Sequence, residues 1–103
     1  HPGLARTLTQ LHERPGHGWT LAAMAQAAGM SRSAFAAEFR ATLGTTPGAY
    51  LLAWRVSLAQ ALMRQGLQIQ QISDQLGYAS PAAFSRAFAQ AVGASPRGWL
   101  KAQ

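Results

Sequence analysis

The chain contains one sequence pattern twice. Two blocks of residues recur, the first at a constant offset of 48 positions and the second at 49. The first block pairs Leu21, Met24, Ala25, Ala28 and Gly29 with Ile69, Ile72, Ser73, Leu76 and Gly77. The second block pairs Phe35, Phe39, Gly44, Pro47 and Tyr50 with Phe84, Phe88, Gly93, Pro96 and Trp99. The single extra residue falls within Tyr78-Ala79-Ser80, and each copy predicts a helix, a tight turn and a second helix.

Helix starts and stops agree with this repeat. Three predicted helices begin at Ser or Thr followed by Pro, and five end at Gly. No alternating strand pattern occurs, so the predicted class is all-α with about seven helices, the first at roughly 3–14. Two helix-turn-helix subdomains, at about 20–43 and 69–92, are joined by a long connector helix at about 47–65. The predicted inward residues of the helix after the first turn are Phe35, Phe39 and Leu43. Apolar residues recur at helical spacing at Leu51, Trp54, Leu58 and Leu62 in the connector, and at Phe84, Phe88 and Val92 in the helix after the second turn.

Each turn has the residues that a close crossing of two helices needs. A small residue, Ala25 or Ser73, is followed four positions later by a glycine that can take a positive φ. The phenylalanine pairs that follow bury one side of each second helix and leave the other side free for the DNA major groove. An old duplication that produced a helical bundle without a DNA role is the alternative interpretation.

The charge balance favours a polyanion as partner. Nine Lys and Arg oppose three Asp and Glu among 103 residues, giving a formal net charge of +6. All of the cations except Lys101 are arginines, which can grip phosphate or guanine with two parallel hydrogen bonds. The absence of cysteine excludes disulfides and thiolate metal sites. No apolar run approaches the ~20 residues that span a bilayer, and no secretory signal is evident, so no membrane partner and a cytoplasmic location are expected.

The chain resembles the DNA-binding domain of the AraC/XylS transcription regulators. In the first half the resemblance rests on Leu21 to Ser31, Phe35, Phe39, Gly44-Thr45-Thr46-Pro47, Tyr50-Leu51, Arg55, and Ala59 through Leu62 and Met63. In the second half it rests on Ile69 to Tyr78, Ser80, Phe84-Ser85-Arg86-Ala87-Phe88, Gly93-Ala94-Ser95-Pro96 and Trp99.

The resemblance implies that residues 1–103 form one bilobed domain that binds double-stranded DNA sequence-specifically. Its two recognition helices would enter successive major-groove segments on one face of the duplex, and the parent protein would regulate transcription, with activation expected. Family members often carry a second domain for effector binding or dimerisation, which is not in this chain. A C-terminal fragment of a longer regulator is therefore expected, with a stand-alone small regulator as the alternative and RNA polymerase as a candidate partner.

The candidate DNA-binding residues of the second unit lie away from its buried phenylalanines. Arg86 lies two positions after Phe84 and two before Phe88, and it matches a family position that reaches the groove. It is predicted to contact a guanine edge or a nearby phosphate; the alternatives are a solvated arginine or a pair with Asp74. The other candidates are Ser80, Ala82, Ser85 and Gln90.

The first unit differs from the family at the positions that are expected to contact bases. Family positions that often carry large polar side chains are occupied by Ser33, Ala36 and Ala37, and alanine can only touch a thymine methyl or let the helix lie deep. Recognition of bases by this helix therefore depends on Arg32, Ser33 and Arg40, or else this helix makes only a modest contribution to base recognition. For Arg40, a phosphate contact or plain surface charge is an equal alternative to a base contact. Glu38 is expected to pair with Arg40, Arg32 or another arginine.

Catalysis and metal binding are not expected. Glu13, Glu38 and Asp74 lie in three different predicted helices, and His1, His12 and His17 lack metal-ligand spacing. The chain is therefore predicted not to be an enzyme and to need no cofactor. The competing function is a protein-interaction module, in which the arginines would serve solubility and an exposed apolar patch would dock on a partner.

Overall fold

The computed structural model describes residues 1–103, and every regular element in it is a helix. The helices are α1 (Pro2–Glu13), α2 (Leu21–Ala28), α3 (Arg32–Leu43), α4 (Pro47–Arg64), α5 (Ile69–Gln75), α6 (Pro81–Val92) and α7 (Pro96–Lys101). The prediction of an all-α chain with about seven helices is confirmed. None of these helices combines the length and the apolar character that crossing a bilayer requires.

Hydroxyl side chains start most of the helices. Each accepts a hydrogen bond from the backbone amide three residues later, and each such cap contributes about 0.5–2 kcal/mol. The residues are Thr20, Ser31, Thr46, Ser80 and Ser95. Proline at the first helical position follows the last three of them, where its missing N–H would have had no intrahelical partner anyway.

Residues His1–Leu52 form the first of two compact units. Helices α1, α2 and α3 pack on one another in it. The buried cluster contains Leu4, Leu11, Met24, Ala25, Ala28, Phe35, Phe39 and Leu51. His12 and Tyr50 connect α1 to the start of α4, since His12 Nε2 lies 2.6 Å from the Tyr50 hydroxyl.

Helix α1 lies unusually close to the end of α2. A Cβ atom on Gly3 would overlap the carbonyl oxygen of Ala28, so only glycine fits there. The same carbonyl accepts a hydrogen bond from Arg6 Nη2 at 3.2 Å. The buried Thr7 hydroxyl donates to the carbonyl oxygen of Met24 at 3.0 Å. These contacts fix the C-terminal end of α2, where the turn between α2 and α3 begins.

Residues Ala53–Gln103 form the second unit, in which α5 and α7 each pack on α6. Its buried apolar residues are Val56, Ala59, Met63, Ile72, Leu76, Phe84 and Phe88. Trp99 of α7 meets Phe88 edge to face with ring centroids 6.0 Å apart, and the guanidinium of Arg64 lies 5.0 Å from the Trp99 ring centre. The contacts of the Trp99 ring therefore hold α7 against α6 and the end of α4.

The prediction of inward residues is wrong at Leu43, and the apolar residues noted at helical spacing in α4 are not its most buried ones. Leu43 is 37% exposed because it lies in the last turn of α3, which at 12 residues extends beyond the eight-residue α2. In α4 the residues noted at 3- and 4-residue spacing, Trp54, Leu58 and Leu62, are only half-buried. Val56, Ala59 and Met63 are buried. Apolar residues occupy most positions of α4, so a 3.6-residue period can be drawn through it in more than one way.

Candidate nucleic-acid interface

The turn between α2 and α3 is a Schellman motif built on Gly29. Gly29 has a φ of 68°, and the Met30 amide donates to the Ala25 carbonyl at 2.9 Å. Ser31 then caps α3 through its hydroxyl, which accepts from the Ala34 amide at 3.2 Å. Because Ala25 is only 2% exposed, a larger side chain at this point of α2 would have no room.

The turn between α5 and α6 repeats this geometry. Gly77 has a φ of 80°, and the Tyr78 amide donates to the Ser73 carbonyl at 3.0 Å. The cap of α6, Ser80, comes three residues after its glycine, whereas Ser31 comes two residues after Gly29. The extra residue of the second copy therefore lies between the Schellman bond and the cap, where it lengthens the turn without shifting either helix register.

Helix α3 exposes most of its predicted DNA-binding residues. Phe35 and Phe39 are fully buried on its inner side. The exposed members of the predicted set are Arg32, Ser33, Ala37 and Arg40, while Ala36 is half-buried. Ala41 is a further exposed residue that the sequence interpretation left out; its signal was the offset of 49, which matches it to Gln90.

The arginines of α3 are not held by its acidic residue. The Glu38 carboxylate accepts a hydrogen bond from the Thr42 hydroxyl at 3.4 Å, so the predicted pair with Arg32 or Arg40 is wrong. A residue four positions away on the same helix is its neighbour, whereas Arg40, two positions away, points elsewhere. Both guanidinium groups are consequently exposed and available to an anion.

Helix α6 exposes its long polar side chains in the same way. Phe84 and Phe88 are buried at 1% and 0% exposure. Ala82, Arg86 and Gln90 are exposed, and Ser80 and Ser85 are half-buried. Arg86 does not pair with Asp74, whose carboxylate accepts instead from Gln70 Nε2 at 3.1 Å. The Ser80 hydroxyl accepts from the Ala83 amide at 3.0 Å, and this leaves its own proton free to donate.

The start of each recognition helix adds backbone donors. The first amides of a helix have no intrahelical partner and carry the positive end of its dipole. In α3 these are the amides of Arg32 and Ser33, because the Ala34 amide is bonded to Ser31. In α6 Pro81 has no N–H, so Ala82 supplies the remaining free amide. These groups can donate to phosphate oxygens.

The other arginines are mostly engaged within the fold. Arg6 bonds the Ala28 carbonyl, and Arg14 Nη2 lies 3.3 Å from His17 Nδ1. In the second unit Arg55 lies 5.6 Å from the centre of the Tyr78 ring, and Arg64 packs on Trp99. Arg55 therefore contacts the residue that follows the glycine of the second turn, which indicates a structural role.

The second unit also has an apolar groove of about 250 Å³ at the end of α4, the start of α5 and α7. Its lining residues are Met63, Leu67, Gln68, Ile69, Pro96, Arg97 and Leu100. Leu100 is 42% exposed, although it is a large apolar side chain. Arg97 lies at this groove, and Lys101, one helical turn later on α7, is also exposed. The sequence interpretation did not anticipate this surface.

Comparison with known proteins identifies a helix-turn-helix domain in the chain. A family model described as a helix-turn-helix domain matches residues 24–102. A putative AraC-like transcription regulator of Streptomyces antibioticus is 42% identical over 101 residues, which are 97% of this chain and 33% of that protein. The RCS-specific HTH-type transcriptional activator RclR of Escherichia coli K12 is 41% identical over 97 residues, covering 93% of this chain and 34% of RclR.

A solved structure with the same fold contains DNA. The DNA-binding domain of AdpA, a global transcriptional factor crystallised in complex with a target DNA, superposes with a TM-score of 0.89 and 28% identity. The match covers 97% of this chain and 91% of the AdpA chain. The chain belongs to the AraC-type family of helix-turn-helix DNA-binding transcription regulators, and it is not an enzyme. It spans about a third of the length of its curated relatives.

Proposed function

We propose that the chain recognises a specific double-stranded DNA sequence by placing α3 and α6 in successive major-groove segments. The observation that carries this proposal is Arg86, an exposed guanidinium opposite the buried phenylalanines of α6. Arg32 and Arg40 give α3 a corresponding positive surface. The similarity to the AdpA domain solved with DNA supports the same use of this fold.

The proposed contact residues divide by chemistry. Arg86 and Gln90 have the side chains that can form two hydrogen bonds to a base edge. Arg32, Arg40 and the Ser80 hydroxyl suit phosphate oxygens. The remaining members of the set are short, and their role is to let the helices lie close to the bases. They are Ser33, Ala36, Ala37, Ala82 and Ser85.

The helix bounds support the proposed domain organisation. One DNA-binding domain covers residues 1–103, with helix-turn-helix units at about 20–43 and 69–92. The 18 residues of α4 extend about 27 Å at 1.5 Å per residue. Two groove segments on one face of DNA lie about 34 Å apart, a distance of similar size.

The parent protein is proposed to be a transcription activator with an additional domain for effector binding or dimerisation. Its curated relatives are about three times as long as this chain, and RclR is named an activator. A regulator that binds bacterial DNA would act in the cytoplasm. RNA polymerase is the proposed protein partner of such an activator.

The groove beside Leu100 is the proposed polymerase contact. Its floor is apolar and Arg97 lies at its edge, so a polymerase segment with aliphatic and carboxylate side chains would be complementary. Leu100→Ala should lower activated transcription in a purified system while leaving operator affinity unchanged. Unchanged transcription would exclude this groove as the contact, and lost operator affinity would assign it to DNA binding.

The DNA-binding proposal is tested by selecting bound sites from a random duplex pool. Two motifs about ten base pairs apart are expected, because one turn of DNA separates the groove segments. Arg86→Ala should weaken binding to the selected site by about 1–3 kcal/mol and relax base preference at one position. Arg14→Ala is the matched control, since it removes an equal charge outside both recognition helices. If no duplex is enriched, the protein-interaction alternative takes the place of this proposal.

A further inference from the structure

Three residues of α6 form one exposed stripe opposite its buried phenylalanines. At about 100° per residue, positions four apart drift by only about 40°, so Ala82, Arg86 and Gln90 remain on one side of the helix. The direction midway along this stripe lies about 180° from the direction midway between Phe84 and Phe88. Neither Arg86 nor Gln90 is bonded to another residue. Both long side chains are therefore free to meet a ligand at the most outward part of α6.

The chemistry of this pair matches two particular bases. Arginine forms two hydrogen bonds with the O6 and N7 atoms of guanine, and glutamine forms two with the N6 and N7 atoms of adenine. Residues four apart on a helix have Cβ atoms about 5–6 Å apart. Successive bases on a strand lie about 3.4 Å apart, so Arg86 and Gln90 can reach bases one or two steps from each other.

The equivalent stripe of α3 has no such side chains. The offset of 49 matches Ala82, Arg86 and Gln90 to Ser33, Ala37 and Ala41, all of which are exposed. Among these three short side chains, only the Ser33 hydroxyl can form a hydrogen bond with a base edge. The exposed surface of α3 opposite its phenylalanines therefore offers almost no side-chain hydrogen-bond donor or acceptor.

The arginines of α3 lie off its outward stripe. Arg40 is about 60° and Arg32 about 140° from the centre of that stripe, at opposite ends of the helix. Arg40 therefore lies on a flank of the helix, and flanking side chains of a helix in the major groove point toward the phosphate walls. Arg32 lies nearer the buried side, at the first residue of α3, and it is also directed away from the base edges. The two helices of the repeat thus expose different kinds of contact although they share one backbone pattern.

We propose that Arg86 and Gln90 act as one reading pair that selects a guanine and an adenine one or two base pairs apart. Helix α3 anchors the protein on the backbone of its own half-site with little choice of sequence. This inference rests on the proposed DNA-binding function, and it assigns the sequence specificity for the DNA site to the second unit.

The first test measures affinity for every single-base variant of the selected site. Arg86→Ala should remove a preference of about 5- to 150-fold for one guanine, and Gln90→Ala a similar preference for one adenine. Each loss should be confined to its own position. Arg40→Ala is the control: it should weaken binding to all variants by one common factor and reduce the salt dependence of binding. A uniform loss with Arg86→Ala would overturn the proposal, because it would make Arg86 a phosphate contact.

The second test transfers the reading pair to the first unit. Ala37 and Ala41 are exposed, so Ala37→Arg combined with Ala41→Gln should leave the fold intact, which a thermal melt followed by circular dichroism checks. The double variant should gain a guanine and an adenine preference in the half-site that Arg86→Ala leaves unchanged. The proposal that α6 supplies most of the base preference is wrong if the wild-type base preference is strongest in that half-site. It is also wrong if the double variant gains no base preference. Neither result would contradict DNA binding itself. The absence of any selected duplex would instead mean that the underlying proposed function is wrong.

Discussion

Replacing Ser73 by alanine should stabilise the second unit. Ser73 is 0% exposed, and its Oγ atom has no hydrogen-bond partner. Burying a hydroxyl without a partner costs about 1–3 kcal/mol in proteins. The equivalent position of the first repeat is Ala25, which is also buried and closes a turn of the same geometry. The backbone bond from Tyr78 to the Ser73 carbonyl does not depend on the side chain, so the turn should be kept.

The size of the gain follows from three effects. Removing the unpartnered hydroxyl contributes about 1–3 kcal/mol, and the higher helix propensity of alanine adds about 0.5 kcal/mol. The small void left by one oxygen costs about 0.5 kcal/mol. A net stabilisation of about 1–3 kcal/mol is therefore expected, which for a domain of this size corresponds to a rise in Tm of at least about 4 °C.

Chemical and thermal unfolding of Ser73→Ala measure this effect. Thr7→Val is the matched control in the first unit, because Thr7 is equally buried but donates to the Met24 carbonyl at 3.0 Å. The control should lose about 1 kcal/mol, since its replacement removes a real hydrogen bond. If Ser73→Ala is destabilising, or if both substitutions shift stability in the same direction, the assignment of an unpartnered hydroxyl is wrong.

Further predictions concern the two turns and the electrostatics of binding. Gly3→Ala should destabilise the first unit by about 1–3 kcal/mol in urea unfolding, since a Cβ there overlaps the Ala28 carbonyl; Gly18→Ala, with open space around it, is the control and should cost little. Gly29→Ala should cost about 1–2 kcal/mol because φ is 68°, and an unchanged midpoint would show that the turn can relax. Operator affinity should fall steeply between 50 mM and 200 mM salt, and Arg40→Ala should reduce the slope of log K against log salt by about 0.9; a flat response would exclude phosphate contacts.

Much of the fold could be predicted from local chemistry. The caps at Thr20, Ser31 and Ser80 and the glycines after α2 and α3 are set by interactions within a few residues, so their residue types alone indicate helix ends. The phenylalanine pairs gave the buried sides of α3 and α6 because polar and small residues surround them. The exposed positions of both recognition helices followed from those two observations.

The features that could not be predicted depend on residues far apart in the chain. The buried side of α4 could not be chosen, because a helix that is apolar at most positions fits several periodic stripes. The contact of Arg6 with the Ala28 carbonyl joins residues 22 positions apart, and no local pattern indicates it. A polar Thr7 on the otherwise apolar side of α1 was a weak signal of its buried hydrogen bond. The Leu100 groove arises only when α4, α5 and α7 are brought together.

In each copy of the repeat, the residues that stabilise the unit are different from those exposed on its second helix. Both turns use the same Schellman bond and the same phenylalanine spacing, so the backbone of each recognition helix is fixed by buried residues. Each turn is supported differently, the first by Arg6 on the Ala28 carbonyl and the second by Arg55 on the Tyr78 ring. The outward stripes contribute almost nothing to these contacts, and surface substitutions of that kind usually change stability by less than about 0.5 kcal/mol. Two copies of one scaffold can therefore carry exposed side chains as different as Arg86 and Ala37 while the fold stays the same.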